Sequence, residues 1–248
     1  MTSPDTLSEL RFLIAKLRTI AELPSSAEQA LLALPFRVRT FAENTDIVRQ
    51  GDRPMECALL LDGFTCRYKL LGEGQRQIMS FHIPGDIPDL QSLHLPVIDH
   101  SLLALTPTKL AFIPHLALND LTRTYPEITV AFWRDTLIDA AVFREWLAGV
   151  GRRTAHQRIA HVICEVYTRM RAIGLTDEGR FPLPVTQAEL GDSVGLSTVH
   201  VNRVLQDLRR DGLISSKGRF VVIEDWEQLK AAGDFDAGYL HLKDARVT

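Results

Sequence analysis

Apolar residues are grouped in two ways along this chain. Over residues 36–114 they come in short runs, at 38–41, 57–61, 65–70, 77–82 and 102–105, separated by Gly, Pro, Asp and Asn. Gly51, Gly63, Gly72, Gly74 and Gly85 recur between them at loop-like spacings. Many short strands with regular turn signals predict an antiparallel sandwich or roll. Elsewhere the apolar positions return every three or four residues, the period of an amphipathic helix. Leu7, Leu10, Phe12, Leu13, Leu17 and Ile20 predict a leading helix or arm over about residues 1–22. A short helix follows, which Ser25 or Ser26 would cap, with Glu28 or Gln29 completing a capping box.

A longer helix begins after Pro126. Ile128, Ala131, Leu137, Ile138, Ala141, Phe143, Leu147 and Ala148 lie mostly at helical spacing, and Trp133, Ala140 and Trp146 widen the stripe. A helix apolar on more than one face has more to bury than one neighbouring sheet covers. Two readings stand: a core helix within one subunit, or a helix shared between subunits like a short coiled coil. Trp133, Leu137, Ala140, Ala141, Arg144 and Leu147 are the residues assigned to the shared face. Gly149-Val150-Gly151 interrupts the pattern and is read as a hinge. The predicted divisions are therefore 1–125 (roll with N-terminal helices), 126–150 (long helix and hinge) and 151–248.

The last division carries the most informative stretch. Residues 187–194 predict a helix with Ala188, Leu190 and Val194 inward, and Gly195-Leu196 predicts a turn. Ser197 is an N-cap residue whose hydroxyl can accept from a free backbone N–H. Val201, Val204, Leu205 and Leu208 then fall on one side of a second helix. Thr198, Val199, His200, Asn202, Arg203, Gln206 and Arg209 are left on or near the other. An exposed helical face bearing Asn and Arg suits the major groove, because Arg can bond bidentately to guanine and Asn to adenine. Gly212 stops this helix, and two short apolar runs around Ser216-Lys217-Gly218-Arg219 predict a hairpin, the wing of a winged helix. Lys217 and Arg219 at its tip are read as phosphate contacts. Residues 179–184 read as a loop, and 225–248 as polar and peripheral.

Charge supports a polyanion partner once it is divided. The whole chain carries a net −3, but between Arg152 and Arg219 eleven Lys and Arg face seven Asp and Glu, a local +4 that leaves −7 elsewhere. A basic segment in an acidic protein marks where phosphate would dock. With 248 residues, 46% hydrophobic and 24% charged, the composition is that of a soluble globular protein of one large or two modest domains. No apolar run reaches bilayer length, and the acidic N-terminus lacks a signal pattern. Cys57, Cys66 and Cys164 cannot form a fully paired disulfide framework. Together these predict a cytoplasmic protein with no membrane association. An inert buried role is favoured for Cys57 and Cys66 over a thiol switch, which would need adjacent strands. No spacing of His, Cys or carboxylates suits a metal, His156 and His161 included.

The order roll, long helix, glycines and winged helix-turn-helix resembles the Crp/Fnr family of bacterial transcription regulators over about residues 20–223. The resemblance is carried by Ile47-Val48-Arg49-Gln50-Gly51-Asp52, Leu59-Leu60-Leu61-Asp62-Gly63 and Pro84-Gly85-Asp86-Ile87. Further on it is carried by Thr186-Gln187-Ala188-Glu189-Leu190, then Gly195-Leu196-Ser197 and Asn202-Arg203-Val204-Leu205. It implies an α+β chain with a cyclic-nucleotide-binding-like β-roll, joined as a homodimer along the long helix. It also implies paired recognition helices on a two-fold symmetric DNA site, and RNA polymerase as partner if the protein activates. Arg203 matches the family arginine that commonly contacts guanine, Ser197 the residue opening the recognition helix, and Thr198, Val199 and Asn202 the other base-reading positions. Thr186 joins them at the start of the first helix. Many members carry Glu or Arg-Glu where this chain has Thr198-Val199, which implies an altered operator.

The roll departs from the family as well. Members that bind cyclic AMP pair Gly-Glu-Leu with a downstream arginine that neutralises the cyclic phosphate. Here Gly85-Asp86-Ile87 is followed by Asp99-His100-Ser101 without one, and a buried anion without a fixed cation is costly. Gly85, Asp86, Ile87, His100 and Ser101 are the candidate effector positions, and cyclic AMP is not expected to bind tightly. The absence of cysteine before Cys57 predicts no iron–sulfur cluster, and no haem is expected. The expected function is a sequence-specific regulator, an activator by the resemblance, responding to another effector or to none. The alternative is a roll-domain enzyme with a winged-helix interaction module, for which no nucleophile elbow, phosphate loop or His/Glu metal motif is found.

Overall fold

The short apolar runs form strands. The computed structural model describes residues 9–243. Its first strands are β1 (Arg37–Phe41), β2 (Asp46–Val48), β3 (Glu56–Asp62), β4 (Thr65–Leu70), β5 (Arg76–His82), β6 (Ser101–Ala104) and β7 (Thr108–Pro114). They make two sheets, β1-β7-β3 and β2-β6-β4-β5. The pairings of β7 with β1 and β3, and of β6 with β2 and β4, are antiparallel. This is the expected roll within an α+β chain. In the β3–β7 register Ala58 faces Phe112 and Leu60 faces Leu110. These four form one core cluster, against which Phe41 and Ile47 pack.

The helices around the roll are α1 (Arg11–Ile20), α2 (Ser25–Leu32), α3 (His115–Thr124) and α4 (Pro126–Arg152). Helix α1 buries Leu13, Ile14, Leu17 and Ile20 along one face; Leu7 lies outside the described residues. The capping box expected at α2 does not form: its N-cap is Pro24, without a side-chain cap bond. Glu28 is instead held by Arg18, whose Nε and Nη2 each donate to it at 2.6 Å in a bidentate charge-assisted pair.

Helix α4 also differs from expectation. It runs 27 residues without a break at Gly149-Val150-Gly151. Glycine inside a helix costs about 1 kcal/mol relative to alanine. Here Arg153 folds back across the last turns, donating from Nη2 to Glu145 Oε1 at 2.5 Å and from Nη1 to the Glu145 carbonyl at 3.4 Å. The chain turns at Arg153-Thr154, where Thr154 and Gln157 make the capping box of α5 (Ala155–Ala172).

Two units result. Among the described residues, one holds Glu9–Lys69 together with Phe81–Asp139; the other holds Leu70–Ser80 and Ala140–Lys243. After α5 the second unit contains β8 (Arg180–Pro182), α6 (Gln187–Val194), α7 (Thr198–Arg210), β9 (Ile214–Lys217), β10 (Phe220–Ile223) and α8 (Trp226–Ala232). Its sheet order is β8-β10-β9. Strand β8 lies in the segment read as a loop. Three residues with a proline carry no periodicity, and β8 exists only through its pairing with distant β10.

The C-terminal residues are not peripheral. Leu229, Phe235 and Leu240 are buried. Phe235 meets the rings of His161, Trp226 and Tyr239, and Trp226 meets Tyr167. Beneath them Glu165 is fully buried. Its Oε2 accepts from Trp146 Nε1 at 2.9 Å and from the Tyr239 hydroxyl at 2.8 Å, and Arg169 lies 3.5 Å from its Oε1. Polar spacing concealed these anchors, because the buried positions are separated by charged residues on the outer side.

Candidate nucleic-acid interface

The helix-turn-helix is built from local signals. Thr186 caps α6, its Oγ1 accepting from Glu189 N at 3.2 Å while Glu189 Oε2 accepts from Thr186 N at 2.7 Å. Gly195 ends α6 in the left-handed region, and Ser197 Oγ accepts from His200 N at 3.3 Å to start α7. The turn is tight: a Cβ on Gly191 would lie 2.5 Å from the Leu196 carbonyl oxygen. Leu190, Val194, Val201, Val204 and Leu208 are buried, whereas Ala188, expected inward, is exposed and Leu205 is half-buried.

The outer face of α7 is presented as expected. Val199 is 81% exposed, and Thr198, Arg203, Gln206 and Arg209 are exposed beside it, with His200 and Asn202 half-buried. The Asn202 amide nitrogen donates to Gln187 Oε1 at 3.1 Å, which leaves the amide oxygen of Asn202 for a donor on a partner. This contact between helices could not be seen in the sequence. Arg209 donates to Ser216 Oγ at 3.0 Å, tying α7 to the β9–β10 wing. Lys217 and Arg219 are exposed on the wing.

The basic segment is less uniform than its charge suggests. Arg158 donates to the Val194 and Arg153 carbonyls, each at 2.9 Å, and so braces the end of α6. Arg153 is paired with Glu145 and Asp234, and Arg180 stacks 3.8 Å over the Phe220 ring. Arg203 on α7 and Lys217 on the wing are exposed.

The candidate effector positions are occupied by the protein's own contacts. Gly85 has φ +94° and a virtual Cβ only 2.5 Å from the Phe12 carbonyl oxygen. Asp86 and Ile87 are buried. Ser101 Oγ accepts from Gln50 N at 3.1 Å. His100 lies 2.8 Å from Asp99 and 3.4 Å from Gln91. Burial and then Arg67 push its imidazole below the usual range, which disfavours the cation. The cations of the neighbouring cluster, Lys16 and Arg67, are already engaged by Asp86, Asp135 and Asp139. Cys57 and Cys66 are buried on strands of different sheets, and burial, reinforced by Asp89, raises the Cys57 thiol far above its usual range.

Asp89 gives this region a pH signature. Its Oδ1 accepts from Ala58 N at 2.8 Å, while Oδ2 is buried without a hydrogen-bond partner among the described residues. Burial pushes its carboxyl up to about 6. A raised carboxyl favours the protonated form in the folded state. Its contribution is thus present below the unfolded value of about 4 and lost as pH rises through about 6. Asp89→Asn is expected to stabilise the protein by about 2 kcal/mol at pH 7, with the gain gone by about pH 4. Urea denaturation at the two pH values measures this, and a gain independent of pH would contradict it.

Along α4 the assigned dimer positions separate. Trp133, Leu137 and Leu147 are 66%, 55% and 74% exposed, Arg144 is exposed and Ala140 half-buried. Ala141 is buried at 6% within the protomer. Val130, 59% exposed and not singled out in the sequence, extends the stripe.

Comparison with known proteins matches this architecture. Residues 38–125 match the model of the cyclic nucleotide-binding domain, and residues 157–232 that of the Crp-like helix-turn-helix domain. The transcriptional activator protein FnrL of Cereibacter sphaeroides is 25% identical over 230 residues, covering 89% of this chain and 91% of the relative. The transcriptional activator protein anr of Pseudomonas aeruginosa is 27% identical over 195 residues, covering 79% and 80%. Among solved structures, FixK2 from Bradyrhizobium japonicum superposes with a TM-score of 0.74 at 24% identity, over 82% of this chain and 100% of that one. With both domain models matched in order and relatives aligned across both, the chain belongs to the Crp/Fnr family of transcription regulators.

Proposed function

We propose that the protein is a homodimeric transcription activator that binds a two-fold symmetric operator without cyclic AMP. The observation that carries the reading is the outer face of α7. Thr198, Val199 and Arg203 are exposed there above the fully buried Val201 and Leu208. Val130, Trp133, Leu137, Ala140, Arg144 and Leu147 recur at alternating three- and four-residue steps along α4, a heptad seam suited to a second copy. Activation by the relatives named above supports RNA polymerase as the further partner. The roll-domain enzyme finds no support among them. The arrangement of Asp86, Asp135 and Asp139 argues against an anionic nucleotide, and calorimetry with cyclic AMP is expected to show no sub-micromolar binding.

Selection from a randomised duplex pool tests the reading. The expected product is an inverted repeat with half-sites about one helical turn apart. Binding that depends on salt but enriches no sequence, with or without added cyclic nucleotides, would overturn it. Arg203→Ala is expected to lose about 1–3 kcal/mol at one base pair and to relax selection there. Val199 can touch a thymine methyl but cannot accept from cytosine. Val199→Glu is therefore expected to move the selected base at that step towards cytosine.

A further inference from the structure

One ammonium in the roll unit holds together carboxylates from two separate elements. Lys16 Nζ lies 2.8 Å from Asp86 Oδ1 and 2.8 Å from Asp135 Oδ1. Asp86 belongs to the Gly85-Asp86-Ile87 turn; Asp135 is on α4. The other oxygen of Asp86 accepts from Ile83 N at 3.0 Å and lies 3.4 Å from His82 Nδ1. Burial, then Arg67, push His82 down to about 4, so it is neutral and cannot replace the lysine. Arg67 is committed to Asp139 at 2.5 Å and to the Pro88 carbonyl at 2.8 Å.

Helix α1 is fixed in this place by three further observations. Its backbone touches the turn where Gly85 has no side chain. Leu10, Leu13 and Leu17 are each at most 2% exposed. Lys109 bonds Glu9 at 2.6 Å just before the helix. Burial alone would lower Lys16, but Asp135 and Asp86 outweigh it and hold the ammonium above its usual range. Without that cation the buried Asp86 and the half-buried Asp135 would repel each other.

We infer that α1 is an internal effector of the roll: Lys16 is a tethered cation that joins the Gly85–Ile87 turn to α4 and fixes how α4 presents its exposed stripe to a second copy. The ligand chemistry of this position is a primary alkylammonium, which the chain supplies itself. A ligand shifts an equilibrium only through contacts it makes in one state and not another. Lys16 makes such contacts with two elements at once. The functional half of the inference rests on the DNA-binding reading; the cation seat does not.

The test uses the full chain with Lys16→Ala, titrated with methyl-, ethyl- and propylammonium chloride. Tetramethylammonium chloride and sodium chloride at matched ionic strength are the controls. Melting temperature and affinity for the selected operator are both read. Lys16→Ala is expected to melt lower and to bind roughly tenfold or more weakly. Both losses are expected to reverse with the primary ammonium ions and with neither control. A folded Lys16→Ala protein with wild-type affinity overturns the inference, as does a loss that no primary amine restores. If Lys16→Ala does not fold, Lys16→Met with Asp135→Leu removes the cation and its α4 partner together, and wild-type affinity in that protein overturns the inference equally. A wild-type chain that selects no operator would instead defeat the DNA reading, with the cation seat still decided by melting.

Discussion

Glu165→Ala is expected to destabilise the second unit by about 3–5 kcal/mol, the range for removing one partner from a buried charge pair. Arg169, 3.5 Å from Glu165 Oε1, would lose its carboxylate partner, and two further donors would lose their acceptor. Trp146 Nε1 and the Tyr239 hydroxyl both donate to Glu165 Oε2, and the residue is fully buried. Alanine leaves those donors facing apolar surroundings where water is poorly placed to replace the acceptor. Glu165→Gln keeps one carbonyl oxygen and should lose distinctly less. Urea denaturation followed by far-ultraviolet circular dichroism measures both. A Glu165→Ala protein within about 1 kcal/mol of wild type would mean that the rings of Trp226, Phe235 and Tyr239 hold this core without its polar centre.

Gly191→Ala is the second large expected effect, and it falls on DNA binding. The added methyl would sit 2.5 Å from the Leu196 carbonyl oxygen and 3.6 Å from Val201 Cγ2. A backbone oxygen cannot swing aside as a side chain does, so the α6–α7 turn must open. Overpacking of this kind costs about 1–3 kcal/mol. The same opening is expected to tilt α7, which bears the proposed base-reading residues Arg203 and Thr198. Specific affinity should fall while the roll stays folded. Gly151→Ala is the matched control: nothing lies within 4 Å of its virtual Cβ, and alanine in a helix is favoured by about 1 kcal/mol. Operator affinity that fell equally in both would show that the loss is not specific to the turn.

What the sequence disclosed follows from the range of each signal. The Thr186 and Ser197 caps and the Gly195 stop are decided within four residues, so the helix-turn-helix was legible almost to its ends. The strands of the roll were legible from run length and turns. Features made by distant partners were not. Arg18 took Glu28 from its expected cap, Arg153 carried α4 across its glycines, and β8 needed β10. Ala188 illustrates a narrower limit: a short helix has too few turns for spacing alone to fix its inward face. Gln187 at Asn202 and Lys16 between Asp86 and Asp135 are polar residues whose meaning lies wholly in tertiary contact.

The rings of Phe235 and Tyr239 are made late in synthesis. A ribosome has delivered the whole helix-turn-helix and wing once Ile223 emerges, yet Phe235, Tyr239 and Leu240, which close the core around α5, are still to come. Contacts so far apart in sequence form late and slowly. A nascent chain paused before residue 235 therefore carries a recognition helix without the packing that steadies α5. Residues 235–240 are therefore needed to close the core around α5, although α7 and the wing precede them in the chain.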